Sequence, residues 1–92
     1  MIISFKHKGL EAFFLEGNAA RIQQKHVNKL RLILAQLNAA REIKDLNFPG
    51  SNLHSLKGEL KNFWSITVSG NWRIIFKFDK GDVHLVDYLD YH

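Results

Sequence analysis

The hydrophobic pattern of this chain changes its period midway, and that change limits the folds open to it. In one stretch, apolar side chains recur every three or four positions: Val27, Leu30, Ile33, Leu34 and Leu37. This spacing predicts a helix with one apolar stripe. From Trp64 onward, apolar and polar residues alternate, which is typical of strands with one face against a core. We therefore expect helices packed on a sheet.

The second half of the chain is predicted to form strands joined by hairpins. Ser69–Asn71 and Lys80–Asp82 are turn segments that separate the alternating runs, and the last run extends over Val83–Tyr88. Short turns of this kind join antiparallel neighbours. In the middle run, one face is formed by Trp72, Ile74, Phe76 and Phe78 and the other by Arg73, Ile75 and Lys77.

The first half predicts a short strand and two helices. Ile2–Phe5 is apolar enough for a strand, and an apolar set at helical spacing follows it: Leu10, Phe13 and Phe14. Gly17 is the expected stop of that helix and Asn18 the expected N-cap of the next. The expected fold is α+β, with an N-terminal strand and two helices packed on one face of a mainly antiparallel sheet. We expect a single domain over residues 1–92.

Composition and charge exclude several classes of protein. The chain has no cysteine, and so no disulfide, thiolate zinc site or cysteine nucleophile. No apolar run reaches the roughly 18 residues of a membrane helix, and no segment resembles a signal peptide, so we expect a cytoplasmic protein. Thirteen Lys/Arg against nine Asp/Glu give a net charge of +4, with the excess in residues 1–61. Such a charge attracts polyanions, including RNA and DNA.

Two basic surfaces follow from the predicted elements. Arg21, Lys25 and Lys29 recur every four residues and would form a stripe on the second helix, either solvated or in contact with phosphates or a partner. Two helices can cover only one face of a sheet, which leaves Arg73 and Lys77 on an open face. We expect function on that open face.

Residues suited to acid–base chemistry occur in two places. His54 precedes the first hairpin strand, and Asp90–His92 follows the last strand. RNA can be cut without a metal when its 2′-hydroxyl attacks the adjacent phosphate, which needs a base, an acid and cations around the phosphate. Imidazoles suit both proton-transfer roles. The candidates are His54 and His92 for proton transfer, Asp90 to orient an imidazole, Tyr91 to stack on a base, and Lys57, Arg73 and Lys77 for phosphate.

Other chemistries use some of the same residue types. Two histidines and an aspartate could bind a metal, but the chain has no HExxH or paired-carboxylate spacing. No nucleophile elbow supports a Ser-His-Asp site, and no glycine-rich phosphate loop is present. We expect neither a metal nor another cofactor.

Five segments together resemble the HigB toxins of the RelE/ParE superfamily, also called plasmid maintenance system killer proteins. They are Ile3–Leu10, Leu53–Gly58, Trp64–Val68, Asn71–Ile74 and Asp90–His92. The resemblance covers essentially the whole chain, in order. It implies a RelE-like fold and a toxin of a type II toxin–antitoxin module. The implied activity is ribosome-dependent cleavage of translated mRNA in the A site.

The resemblance also implies site residues and partners. The family's catalytic positions correspond to His54, Asp90, Tyr91 and His92, and Lys57 and Arg73 correspond to phosphate contacts. We expect His92 as the acid, with His54 and Asp90 on the base side. Candidate ribosome contacts are Arg21, Lys25 and Lys29. The implied partners are a HigA-type helix-turn-helix antitoxin, the 70S ribosome and mRNA, with DNA reached only through the antitoxin.

Two other functions remain open on the sequence. ParE-like relatives share the fold but act on DNA gyrase without being enzymes, and an inactive chain could bind only antitoxin or RNA. Two imidazoles beside cationic groups favour the nuclease, because a gyrase binder has no need of them.

Overall fold

The computed structural model describes residues 1–91, which form two helices and a four-stranded sheet. The helices are α1 (Lys8–Glu16) and α2 (Val27–Ala39), and the strands are β1 (His54–Ser55), β2 (Phe63–Ser69), β3 (Trp72–Asp79) and β4 (Asp82–Asp90). Short 3₁₀ turns lie at Gln24–His26, Ile43–Leu46 and Gly58–Leu60. The strand order is β1-β2-β3-β4, and every neighbouring pair is antiparallel. The α+β prediction is confirmed.

Both helices pack on the same face of the sheet. Their apolar stripes and alternate strand residues form one core cluster, which includes Leu10, Phe13, Leu30, Ile33, Leu34, Leu37, Ile66, Ile74, Phe76, Val83, Val86 and Tyr88. Ile75 is also buried but lies outside this cluster, because its side chain belongs to the other face. We call that other side the open face, since neither helix covers it.

Helix α1 is capped at both ends, and it ends before Gly17, as the sequence predicts. The Nδ1 atom of His7 accepts the backbone N–H of Leu10 at 3.0 Å, which satisfies one free donor of the first turn. At the other end, Gly17 has a φ of 73°, and its N–H donates to the carbonyl of Phe13. A left-handed residue at this position suits glycine.

Helix α2 begins later than predicted. Asn18 does not cap it: the Asn18 Oδ1 accepts the N–H of Ala20 at 3.0 Å and stabilises a local turn instead. The chain then passes through the 3₁₀ turn Gln24–His26 before α2 begins at Val27. The physical reason is that an Asn side chain stabilises turns and helix caps by the same kind of short-range bond, so the sequence could not separate the two.

The predicted N-terminal strand is reduced to two isolated bridges. Ile2 pairs with Val83 and Phe5 with Val86, both in the parallel sense. Between these bridges, β4 contains a bulge at Leu85, whose φ is 56° and whose N–H donates to Ser4 Oγ at 2.9 Å. The bulge explains why Val83 and Val86, three residues apart, both face the core.

Candidate active site on the open sheet face

The strand register lines up four residues across the open face. His54 of β1 pairs with Ser65 of β2, Ser65 with Ile75 of β3, and Ile75 with Asp87 of β4. Paired residues share a face of the sheet. Ser65 and Ile75 are only 2% and 3% exposed, although no helix lies over them, so longer neighbouring side chains cover them. This row forms the floor of a shallow site with His54 at one end.

His54 is exposed, and one of its ring nitrogens is held by the backbone. Its Nδ1 lies 3.0 Å from the carbonyl oxygen of Asn52. A carbonyl oxygen can only accept, so Nδ1 must donate. In the neutral ring, Nε2 then carries the lone pair and can take a proton. This tautomer is the one that a general base needs.

Asn52 was not among the predicted site residues, yet it orients His54. Its φ is 47°, a conformation that Asn tolerates better than most residues. Its Nδ2 donates to Thr67 Oγ1 at 3.4 Å. These features place the Asn52 carbonyl under the imidazole. The turn-rich segment around it was visible in the sequence, but the side-chain bond to β2 was not.

Two cations flank the His54 row on the same face. Arg73 pairs with Thr67 and Leu89, and Lys77 pairs with Phe63 and His84, so each lies one row away from Ile75. Neighbouring strands are about 4.8 Å apart, which puts the β3 backbone roughly 10 Å from that of β1. The open face therefore combines an imidazole with two cations, as the sequence predicts.

Arg73 is held at one corner of the site. Its Nη1 donates to the carbonyl oxygens of Gly70 and, at 3.1 Å, Trp72. The guanidinium has five N–H donors, so others stay available to an anion. Lys57 is exposed in the loop that follows β1, three residues beyond His54.

The C-terminal candidates do not all reach the open face. The register pairs Asp90 with Trp72, a residue packed against the core, so Asp90 lies on the helix-bearing face, opposite His54. Tyr91 is 39% exposed, and its N–H donates to the Asn71 carbonyl at 2.7 Å, which fixes it beside the β2–β3 turn. His92 lies outside the described residues.

The predicted basic stripe is not one helix face. Arg21 lies in the turn before α2, Lys25 lies in the 3₁₀ turn and Lys29 lies in α2. Arg21 packs against α1, where a Cβ at Gly9 would come within 2.6 Å of the Arg21 Cβ. This part of the prediction was wrong because it assumed a helix from Asn18 onward.

Within residues 1–91, no three His, Asp or Glu side chains converge in a way that could hold a metal ion. Across the same residues, no helix is both long and apolar enough to cross a membrane.

Two helices on one face of a four-stranded antiparallel sheet form a RelE-like toxin fold. The solved YoeB-YefM complex from Staphylococcus aureus contains a chain of this fold. It superimposes with a TM-score of 0.65 over 100% of this chain and 95% of that chain, at 15% sequence identity.

Within this class, residues 3–92 match the family described as the RelE-like toxin of type II toxin-antitoxin system HigB. The chain belongs to this family, which confirms the resemblance seen in the sequence. It is 44% identical over 92 residues to Endoribonuclease HigB of Proteus vulgaris, and the match covers 100% of both chains. It is 37% identical over 94 residues to Toxin HigB-1 of Vibrio cholerae, covering 100% of this chain and 98% of that protein. Membership in a toxin–antitoxin family gives the chain an antitoxin as partner.

Proposed function

We propose that this chain, an endoribonuclease toxin of the HigB type, acts on mRNA during translation and cuts it in the A site of the ribosome. The observation that carries the proposal is the backbone bond of His54. That bond leaves Nε2 as the proton acceptor on a sheet face that also carries Arg73 and Lys77. The HigB match favours this activity over the gyrase-directed alternative.

The proposed reaction transfers two protons and needs no metal. His54 Nε2 takes the proton of the 2′-hydroxyl, whose oxygen attacks the adjacent phosphorus. The bond to the 5′-oxygen breaks, and an acid, which we assign to His92, returns a proton to that oxygen. The products are a 2′,3′-cyclic phosphate and a 5′-hydroxyl. Arg73, Lys77 and Lys57 stabilise the charge that grows on the phosphoryl oxygens.

The remaining C-terminal candidates are proposed to act at the edge of this site. Tyr91 lies beside the β2–β3 turn that also binds Arg73, so its ring is placed to stack on a base next to the cut. Asp90 lies on the opposite face by register. We therefore propose that Asp90 acts through the chain end rather than on His54 directly.

Dependence on the ribosome follows from how little the open face offers to free RNA. Proteins that bind single strands unaided use a basic groove and several stacking aromatics. The described open face has two partly exposed rings, Phe63 and Tyr91. The ribosome would hold the codon in place and supply the orientation that the protein lacks. Arg21, Lys25 and Lys29 belong to the helix side, where they would contact ribosomal RNA.

The antitoxin is proposed to be of the HigA type, with a helix-turn-helix domain. The toxin would then meet DNA only through that partner. A cytoplasmic location follows from this function, because the ribosome and mRNA are found there.

The test compares cleavage of one message with and without ribosomes at equal toxin concentration. The buffer contains only the Mg²⁺ that the ribosomes need to stay intact. We expect cuts within codons on ribosomes, ends with cyclic or 3′-phosphates, and little cutting of free RNA. Equal rates on free RNA would disprove the ribosome dependence. Products with 3′-hydroxyl ends would disprove the 2′-hydroxyl mechanism.

A further inference from the structure

A cavity of about 630 Å³ opens beside the His54 row, and Lys77 is the one residue of its lining that takes part in the chemistry proposed above. Its lining includes Ser55, Lys61, Phe63, Lys77, Asp79 and His84. Phe63, Lys77 and His84 of this lining belong to the row next to that of His54, so the cavity borders the candidate active site. Its size lies in the range of small-ligand sites.

The sheet register places this cavity one row from the proposed cut. Phe63, Lys77 and His84 pair across β2, β3 and β4. They form the open-face row next to His54, Ser65, Ile75 and Asp87. Two residues along a strand span about 6.6 Å, which is close to the step between successive phosphates of an extended RNA strand. A nucleotide next to the scissile phosphate would therefore lie over this row.

The side chains in this row match both parts of a nucleotide. Lys77 Nζ lies over the Phe63 ring, 5.0 Å from its centroid, so a base that stacks on this face displaces the ammonium. A base can stack on that face, and the displaced ammonium can bind the phosphate. The exposed Lys61 adds a second cation to the same rim. The negative charge of Asp79 disfavours a phosphate at the end of the cavity where Asp79 lies. Its carboxylate can instead accept a hydrogen bond from the amino group of a base.

We propose that this cavity binds the nucleotide adjacent to the cleaved bond, with Phe63 stacking on its base and with Lys77 and Lys61 binding its phosphate. The inference rests on the proposed RNA cleavage and names a further substrate subsite for it. An RNA nucleotide fits better than an acidic peptide, because a ring face framed by cations and contiguous with the cutting row suits a flat base joined to a phosphate.

The direct test measures binding of a short RNA that cannot be cut. The probe is a trinucleotide with 2′-O-methyl groups and phosphates at both ends, titrated into ¹⁵N-labelled protein. We expect the largest amide shifts at residues 61–64, 77 and 84. Phe63→Leu should weaken binding roughly tenfold, and Lys77→Gln should lower the slope of log affinity against log salt by about one.

The matched control is Lys8→Gln, which removes an exposed cation in α1 that pairs only loosely with Glu11, at 3.7 Å. It should leave probe binding unchanged. Shifts centred elsewhere, or unchanged affinity in folded Phe63→Leu and Lys77→Gln, would overturn the subsite. A glutamate-rich peptide of the same charge that binds the same amides more tightly would assign the cavity to a protein partner instead.

A second experiment separates this inference from the proposed cleavage. Two ribosome-bound messages are used, one with an abasic nucleotide on the 5′ side of the cut and one with it on the 3′ side. The toxin concentration for half-maximal cutting is measured on each. The difference between wild type and Phe63→Leu should vanish at one of the two positions. If it persists at both, the subsite is wrong although the cleavage stands. If wild type binds the trinucleotide at these amides yet cuts no message, the cleavage is wrong although the subsite stands.

Discussion

His26 and His54 lie on opposite sides of the sheet, and their surroundings are opposite in character. His26, beside the helices, is 2% exposed, and its Nδ1 lies 2.7 Å from the hydroxyl of Tyr88. His54, on the open face, is exposed and bonded to a backbone carbonyl. One imidazole is thus part of the packed interior, and the other presents a free nitrogen to whatever occupies the face.

The interior histidine belongs to a cluster of aromatic rings. Trp72 lies 4.7 Å from Tyr88 and 5.6 Å from His26, measured between ring centroids. Burial lowers the pKa of His26, and nearby Lys25 lowers it further. Burial also raises the pKa of Tyr88, while the N–H of Gln23 donates to the Tyr88 hydroxyl. That hydroxyl can then donate its own proton to His26 Nδ1.

This comparison shows that the partner of an imidazole, more than its presence, decides its role. A buried ring whose Nδ1 faces a hydroxyl stabilises a structure and is kept neutral. An exposed ring oriented by a carbonyl is poised to accept a proton. The comparison gives four predictions, in decreasing order of expected effect.

The largest effect is expected from His54→Gln on cleavage. If Nε2 is the base, the rate on ribosome-bound message should fall about 10²–10⁴-fold. Because the side chain is exposed, the free energy of unfolding should change by less than about 0.5 kcal/mol. Cleavage kinetics and urea unfolding check both parts. A folded variant that keeps a tenth of the wild-type rate would remove His54 from the mechanism.

The reverse pattern is expected from His26→Ala. Losing the bond to Tyr88 and leaving a void should cost about 2–4 kcal/mol of stability. Cleavage per folded molecule should remain near the wild-type rate, measured at a temperature where the variant is folded. A selective loss of rate with wild-type stability would mean that the two histidines do not divide the roles as described.

A smaller effect is expected from Tyr88→Phe, which deletes only the hydroxyl. His26 Nδ1 and the Gln23 N–H would both lose a partner inside the cluster, at a cost of about 1–3 kcal/mol. Urea unfolding of the single and double variants with His26→Ala measures the coupling. Strictly additive losses would show that the short contact contributes nothing of its own.

The smallest effect is a pH dependence of stability. The pKa of His26 is lowered from 6.5, so protons bind the unfolded chain more readily than the folded one. The contribution of neutral His26 to the free energy of unfolding is complete above pH 6.5 and is lost as the pH falls through the folded-state pKa. The midpoint of unfolding should drop between about pH 8 and about pH 5, where unperturbed imidazoles titrate.

The neighbours that face His26 are part of this experiment. Lys25 lies next to His26 along the chain, and the ring of His7 lies 5.6 Å from that of Tyr88. The N–H groups of Arg41 and Glu42 lower the pKa of Asp45 from 3.8, so its protonation affects stability only at a pH below that value. His26→Ala should flatten the curve and His54→Gln should preserve its shape. An equally steep curve in His26→Ala would refute the assignment.

Local patterns predicted the strands well. The hairpins form between neighbouring segments, and their turns contain Gly70 and Gly81, with φ of 56° and 89°, where glycine is favoured. The alternation that placed Arg73 and Lys77 on one face also needs no distant partner. The family and the open face were therefore within reach of the sequence.

Features that depend on distant contacts were missed. The bulge at Leu85 shifts the register, so the face of Asp90 could not be counted from the start of β4. His26, the residue before α2, is buried against Trp72 and Tyr88, which are far away in sequence, so its place in the core could not be predicted from local pattern. The catalytic roles of His54 and of the chain end stay predictions.

The pairing of the first residues with the last strand has a consequence for how the toxin is made. The N-terminal ammonium of Met1 donates to the Gly81 carbonyl at 2.8 Å, 80 residues along the chain, and Ile2 and Phe5 bridge to Val83 and Val86. Such contacts raise the contact order, and chains rich in them fold slowly. During synthesis, the opening segment has no partner until β4 has been made. The open face of the sheet is therefore not assembled until β4 has been synthesised.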